Sequence, residues 1–585
     1  MMVLSTLDWW VLGVFVCFSV GLGAWFARSA GRDIQSFFLG NRNLPWWIAG
    51  TSMVATTFAA DTPLLITELV ANYGISGNWI WWNGLIGGML TVFFFARLWH
   101  KADILTDVEL TEIRYSGKEA RFLRGFRALY LGIFLNAVII AWVNVALGAI
   151  LTVFFDIPPK ETLYYVAGAM LVVAAYSSLS GLLGVAFTDF FQFWIAMGGT
   201  IVLAFVVLQS PEVGGISGLQ AKLPAATFQF LPQLSWSSTS LQEGAQVFSI
   251  SLSTFLAYVG FQWWASWYPG AEPGGGGYVA QRMMSAKSPT EALKATLWFQ
   301  IAHYAVRPLP WVLVALAAMV LYPDLAPEDK KLGYVMAMKD FLPSGLRGLL
   351  LAAFLAAYMS TISTQLNWGT GYLINDVYAR FIAPQASARG LVLASRLATF
   401  LVMAAGLWVT AQLSTMEQAF KLMIQAGAGL GGVLILRWYW WRVNAWSEIA
   451  ATLAPFVGIW LSSYVWPLPE PYGFFFTVAF TTVVWLLVTY LTPPTDAAVL
   501  QQFYARVRPE GWWEPIRLQT GLSAQKPQWP LLWSGFLGAM LLAYSLLFAL
   551  GKWIFAAYTE ALCYTLLALV GLWLVRRCLQ KLALS

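Results

Sequence analysis

Long apolar runs, each about as long as a bilayer crossing and divided by short polar loops, fill this chain from end to end. A helix needs about 20 consecutive apolar residues to cross the hydrocarbon core. Such runs fall near residues 8–27, 45–72, 75–97, 128–154, 161–184, 188–208, 245–269, 298–322, 345–375, 390–412, 416–437, 446–466, 472–492, 531–550 and 553–575. The pattern predicts an all-α membrane protein of about fifteen spans, which we number in chain order. An odd number puts the two termini on opposite sides. The first run has no basic stretch before it and no small-residue cleavage pattern after it, so it is expected to be a retained helix.

Two spans are interrupted. Span two contains Thr56-Thr57-Phe58-Ala59-Ala60-Asp61-Thr62-Pro63, an acidic residue and a proline at mid-membrane depth. Pro63 has no N–H, so carbonyls near Ala59 lose their helical donor. Broken backbone is tolerated in lipid only where it lines a cavity or is buried in protein. Span seven runs through Gln262-Trp263-Trp264-Ala265-Ser266-Trp267-Tyr268-Pro269-Gly270 and on to four glycines, Gly274 to Gly277. Spans two and seven are five apart. Spans two to six and seven to eleven therefore read as two five-helix halves, the second inverted, each opening on a broken helix. Breaks at matching places in inverted halves point to a binding site near the midplane. The alternatives are a plain proline kink and a plain glycine loop. The glycine run is no phosphate loop, because no Gly-Lys-Ser/Thr follows it.

Composition agrees with a chain whose solvent is the membrane throughout. It is 59% hydrophobic and only 11% charged over 585 residues, against roughly 25% charged in soluble domains. Its 32 tryptophans suit a protein with many headgroup-level interfaces. The net charge of +6 is spread over short loops, which reads as topology and not as a nucleic-acid footprint. Lys/Arg bias orients the chain with the N-terminus outside and the C-terminus inside. Inside loops then hold Arg28, Arg32 and Arg42; the cluster from Arg97 to Arg127; Arg282, Lys287 and Lys294; Arg380 and Arg389; Arg437 and Arg442; and the basic residues of 493–530 and of the C-terminus. The outside loop after Tyr322 is the exception, with lysines facing acids. Three cysteines make no disulfide framework, and two histidines, His100 and His303, leave little material for zinc or histidine catalysis.

Span nine carries unusual polarity. In Ala356-Ala357-Tyr358-Met359-Ser360-Thr361-Ile362-Ser363-Thr364-Gln365, the residues Ala357, Ser360, Thr361 and Thr364 share one helix face. A carbonyl followed one turn later by hydroxyls offers several oxygens to a hard cation. Carbonyls freed in span two could complete the shell. The competing reading is close helix packing with hydroxyls bonded to their own backbone.

Four stretches resemble the sodium/solute symporter family, the sodium-coupled sugar, proline, sialic acid and iodide carriers. They are Phe37-Phe38-Leu39-Gly40-Asn41-Arg42-Asn43-Leu44-Pro45-Trp46-Trp47; Gly184-Val185-Ala186-Phe187-Thr188-Asp189-Phe190-Phe191-Gln192; Tyr278-Val279-Ala280-Gln281-Arg282 with Ala286-Lys287; and Met359-Ser360-Thr361-Ile362-Ser363 followed by Asp376-Val377-Tyr378. The resemblance implies a five-plus-five inverted-repeat (LeuT-type) transporter core with one extra N-terminal helix and about four C-terminal ones. Residues 1–44 would be the extra helix and inside loop, 45–208 the first repeat, 209–244 an outside loop, 245–442 the second repeat, and 443–585 the C-terminal helices around the inside loop 493–530. It also implies a sodium site at Ala59, Thr62, Ala357, Ser360 and Thr361. In some members a second ion is held at positions matching Asp189, Ser363 and Thr364. Asp61 stands where the proline branch has an aspartate and the sugar branch an asparagine. Tyr278 matches a tyrosine that closes the pocket on its cytoplasmic side. The stretch 262–277 is richer in Trp and Gly than the family pattern.

The function expected is sodium-coupled symport of a small polar solute across the cell membrane by alternating access, with one or two Na+ and no organic cofactor. The solute would be sugar-like, an amino acid or an organic acid. Candidate contacts are Asp61, Asn83, Gln262, Trp263, Trp264, Tyr278, Gln365 and Gln425, with indole faces to stack on a ring and amides to bind hydroxyls. Most tryptophans of such a chain are interface anchors instead. Arg307 with His303 on span eight is a further buried pair, suited to a carboxylate or to steadying the bundle. A solute sensor and a membrane group-transfer enzyme are the alternatives. The enzyme lacks any metal or nucleophile spacing in its long inside loops.

Overall fold

The computed structural model describes every residue except 1–3, 31–37, 59–60, 159, 236–248, 266–273, 414–426, 470 and 584–585. The described residues are largely helical, with a short parallel pairing of Gln233–Ser235 with Ser249–Ser251. Among the described residues, 10 helices are long and apolar enough to cross a membrane, or up to 11 if one bent pair is counted as a single span. That bent pair is span two, Trp46–Thr56 and Asp61–Tyr73, whose axes differ by 60°. The sequence anticipated this break. A proline two residues into the outer half cannot bond back across the gap.

Span nine, Leu346–Gly371, lies at the centre, and nearly all its residues from Leu350 on are buried. Several helices widen into π-turns, at Thr91–Phe95, Tyr130–Leu135, Ala302–Val306 and Tyr372–Ile382. Such turns re-aim side chains and recur at functional sites.

Three expectations change. Spans five and six, expected as 161–184 and 188–208, form one hydrogen-bonded helical run, Thr162–Leu208. Thr162 packs on Gly148 and Thr200 meets Tyr334, whereas Leu183 packs on Gly40 at the opposite end of the bundle. Its two parts, the shorter apolar helix Thr162–Ala175 and the membrane-length helix Leu182–Leu208, correspond to the two expected spans. Among the described residues of span seven, expected over 245–269, helix starts at Leu252, and much of it is a π-turn, Ala257–Gln262. The loop 493–530 carries two helices of its own, Ala497–Val507 and Glu514–Thr520.

Loop contacts sort into two sets at opposite ends. At one end, Arg42 pairs with Asp103 at 2.5 Å, Arg124 with Asp376 at 2.7 Å, and Arg127 with Glu448 at 2.7 Å. Arg114 caps the carbonyls of Arg437, Trp440 and Trp441 there. At the other end, Lys339 reaches the carbonyl of Val153, and Gln220 that of Phe555. The arginine-rich loops thus share one face, as the charge pattern requires.

The N-terminal helix is tied to span nine at the arginine-poor end. The buried carboxylate of Asp8 accepts the amides of Gly345 at 2.7 Å and Gly348 at 2.8 Å, capping the start of span nine. A Cβ on Gly348 would lie 2.5 Å from the Cα of Asp8, so only glycine permits this approach. Asp8→Ala removes both acceptors and is expected to cost about 1–2 kcal/mol. Thermal unfolding of the detergent-purified chain checks it, and an unchanged transition would leave Asp8 without that role.

Candidate sodium and solute site

The inner half of span two ends at Thr56, and its last carbonyls have no onward helix to serve. Span nine comes to meet them. The Thr361 hydroxyl donates to the carbonyl oxygen of Thr56 at 3.0 Å. Thr62, on the first turn of the outer half, donates to the carbonyl of Thr57 at 3.3 Å. Oxygens from the break and from span nine are therefore neighbours. Ligands of a hard cation sit about 2.3–2.6 Å from it, which puts adjacent oxygens roughly 3 Å apart. The donor set suits sodium, being carbonyl and hydroxyl oxygens in a buried, largely apolar surround. Ala357, Ser360, Thr361 and Thr364 are all buried on span nine. Ala59 lies outside the described residues.

Ser360 turns elsewhere. Its hydroxyl donates to Asp189, which also accepts from Ser52 at 2.6 Å. Asp189 is 1% exposed and faces the fully buried Arg282 at 3.8 Å. Arg282 donates to Thr364 at 3.0 Å, to Ser52 at 3.3 Å and to Thr56 Oγ1 at 3.4 Å. Ser363 donates to the Ser360 carbonyl of its own helix at 3.0 Å, one turn back. The residues expected around a second ion are thus divided: Asp189 and Thr364 are joined through Arg282, while Ser363 serves its own backbone. Arg282, expected in an inside loop and as a motif residue, is instead fully buried on the helix Gly277–Ser285, and sequence reasoning overlooked Ser52. The available signal was Asp189 on a predicted span, because a carboxylate there is expensive in lipid unless paired.

Toward the arginine-rich end the site is closed. Tyr278 is buried, and its ring meets Trp368 edge-on at 6.3 Å between centroids. Below it the Asp107 carboxylate accepts the Gly277 amide at 3.0 Å and the Tyr372 hydroxyl. The glycine run is structural here: Gly274 and Gly275 take φ of +86° and +75°, and the Gly274 carbonyl accepts Trp99 Nε1 at 2.6 Å. Asp107 thus joins the outgoing half of span seven to the end of span nine. Losing a hydrogen bond to a charged group costs about 1.5–3 kcal/mol, roughly tenfold or more in a closed-to-open equilibrium. Tyr372→Phe is expected to raise maleimide labelling of a Gln281→Cys reporter several-fold, in a background with Cys17 and Cys563 replaced. Equal labelling would mean that this contact closes nothing.

The expected solute contacts are less uniform. Asp61 opens the outer half-helix and is 9% exposed. Its Oδ1 has no hydrogen-bond partner among the described residues. Gln365 is buried with Oε1 likewise unpartnered. Asn83 spends its amide on the carbonyls of Trp79 and Ile80, both at 2.9 Å. Trp263 and Trp264 bond their indole N–H groups to Val259 and Gly260 of their own segment, both at 2.7 Å. Trp263 lies on Gly87 of span three and Trp264 beside Gly432 of span eleven, while Gln262 is half-buried. Gln425 lies outside the described residues. Arg307 and His303 gather at the break, where Arg307 donates to the Val54 carbonyl at 3.1 Å.

Residues 37–454 match the model of the sodium:solute symporter family. The chain belongs to that family. The symporter is 25% identical over 511 residues to a sodium/glucose cotransporter of Vibrio parahaemolyticus, covering 82% of this chain and 90% of that one. It is 26% identical over 476 residues to sodium/glucose cotransporter 1 of Oryctolagus cuniculus, covering 74% and 68%. A solved structure of a Na+-coupled sialic acid symporter, in a substrate-bound outward-open state, superposes with a TM-score of 0.65 at 18% identity, over 84% of this chain and 99% of that one. That likeness is one of fold. The symporter is a multi-pass membrane carrier of the sodium-coupled class, and its family and relatives are transporters.

Proposed function

We propose that the symporter carries a small polar solute inward with sodium by alternating access, through a chain of about fifteen spans with its N-terminus outside and its arginine-rich face in the cytoplasm. The observation that supports this most directly is the hydroxyl of Thr361 on the carbonyl of Thr56, which sets oxygens of span nine against the broken end of span two. Sodium held by Thr62, Ala357, Ser360 and Thr361, with Ala59, would bridge the two elements and hold the pocket in order. Linkage then makes solute raise sodium affinity by the same factor that sodium raises solute affinity. A second ion at Asp189, Ser363 and Thr364 would require Arg282 to withdraw from Thr364.

Relatives named for glucose and myo-inositol make a sugar or polyol the first solute class to try, with amino acids and organic acids beside it. Asp61, Gln365 and Tyr278 are the solute contacts that the buried geometry favours. Uptake into proteoliposomes under an inward sodium gradient, with potassium as control, tests the reading. Solute counterflow separates a carrier from a transporter-like sensor. Sodium-independent uptake of every solute that shifts thermal unfolding would overturn it.

A further inference from the structure

The break in span two has a second face, turned toward span eight. Pro308 cannot continue a hydrogen-bond ladder, and the chain before it widens into the π-turn Ala302–Val306. The amide of Arg307 reaches back five residues to the Ala302 carbonyl at 3.1 Å. Arg307 ends fully buried. Its guanidinium donates to the Val54 carbonyl at 3.1 Å and to Thr57 Oγ1 at 3.2 Å, and lies 5.3 Å over the Trp311 ring.

His303 locks this arrangement. Its Nε2 is 3.4 Å from Arg307 Nη2 and its Nδ1 is 3.0 Å from Thr57 Oγ1. A guanidinium can only donate, so Nε2 accepts and the ring proton sits on Nδ1. Thr57 then receives two donors and passes its own proton to the Val54 carbonyl at 2.9 Å. The imidazole is neutral in this network, and the one positive charge on this face of the break is the guanidinium.

What Arg307 faces is a cation's coordination set. Val54 lies on the last turn of the inner half-helix, at the negative end of its dipole. Asp61, on the first turn of the outer half-helix, keeps a buried carboxylate oxygen with no hydrogen-bond partner among the described residues. Carbonyl, hydroxyl and carboxylate oxygens are the ligands a hard cation takes. A buried arginine is costly in a membrane protein, so its presence calls for a partner of opposite charge.

We propose that Arg307 is a tethered cation: it stands, on the span-eight face of the break, where a further sodium ion would otherwise bind, and it neutralises Asp61 from there. The proposal rests on the sodium-coupled reading above and fixes how many ions that reading needs. The guanidinium is not released, so each cycle moves one sodium fewer than an equivalent site without it. Each inward charge is worth ~2.3 kcal/mol per 100 mV. Arg307 is thus a residue that sets the coupling ratio.

The test counts sodium without needing the solute. Radioactive sodium bound per purified full-length chain is measured at saturation by equilibrium dialysis, with potassium balancing ionic strength, for wild type, R307K, R307Q and D61N/R307Q. R307Q is expected to bind one more sodium ion than wild type, with a steeper titration. R307K keeps the wild-type number, and D61N/R307Q returns to it. An R307Q chain that folds and binds the wild-type number overturns the proposal, as does an extra ion that persists in D61N/R307Q. Should R307Q aggregate, rescue of a monodisperse chain by D61N/R307Q supports it, and aggregation of both overturns it. Wild type binding sodium with no change in R307Q removes this proposal alone. Wild type binding none removes the sodium reading with it.

Discussion

Thr361→Ala is expected to raise the sodium concentration for half-maximal binding by roughly ten- to a hundredfold, while protein abundance changes little. The hydroxyl donates directly to the broken end of span two, 3.0 Å from the Thr56 carbonyl, beside the looser 3.4 Å contact between the Thr364 and Thr56 hydroxyls. Deleting it removes a ligand and leaves that carbonyl without its donor. Loss of such an interaction in a buried site is worth about 1–3 kcal/mol, and 1.4 kcal/mol is a factor of ten. Ser360→Ala acts by another route, because its hydroxyl serves Asp189. Its effect should be felt at the Asp189–Arg282 pair, and the double variant should combine both losses. Sodium titrations of intrinsic tryptophan fluorescence separate the two. A sodium response unchanged in the double variant would remove the site. By linkage, solute affinity measured at fixed low sodium should fall with Thr361→Ala as well.

How much of this was readable beforehand depends on what periodicity can carry. Hydropathy gave the all-helical membrane class because length and apolarity are properties of the sequence itself, while 10 helices, or up to 11, are long and apolar enough to cross a membrane among the described residues. The break in span two was legible from Pro63, whose missing N–H acts locally. The hydroxyl face of span nine was legible because Ala357, Ser360, Thr361 and Thr364 repeat with the helical period. The partners of those hydroxyls were not. Span nine is buried nearly all round, so no exposed stripe fixes its rotation against each neighbour. Ser360 therefore meets Asp189, and Ser363 folds onto its own backbone. The boundary between spans five and six was hard to place because no proline interrupts 161–210; the membrane-length helix starts at Leu182 and not at 188. The indole N–H groups of Trp263 and Trp264 each serve the carbonyl four residues back, a use that no pattern of residue types announces. Arg307 was legible as a buried charge; its aim at Val54 came from the π-turn, which no pattern of residue types announces.

Arg282→Gln is expected to be the most damaging single substitution to the fold near the site. It would strand the Asp189 carboxylate, which is 1% exposed, with only the hydroxyls of Ser52 and Ser360 for company. Removing one partner of a buried ion pair costs about 3–5 kcal/mol, mostly because the other charge stays buried alone. Asp189→Asn should cost less, since Arg282 keeps its bonds to Thr364, Ser52 and Gln281. The double variant Asp189→Asn with Arg282→Gln should recover much of the loss, giving a coupling energy by double-mutant cycle. Thermal unfolding in detergent reads all four proteins. Sodium sharpens the test. In Arg282→Gln the oxygens of Asp189, Ser360 and Thr364 remain without their cation, so sodium should stabilise this variant more than it stabilises the wild type. Potassium should not substitute if the cavity selects by size. Equal sodium stabilisation of both proteins would mean that Asp189 recruits no ion when its arginine is gone, and that the pair is a brace between spans six, seven and nine and nothing more.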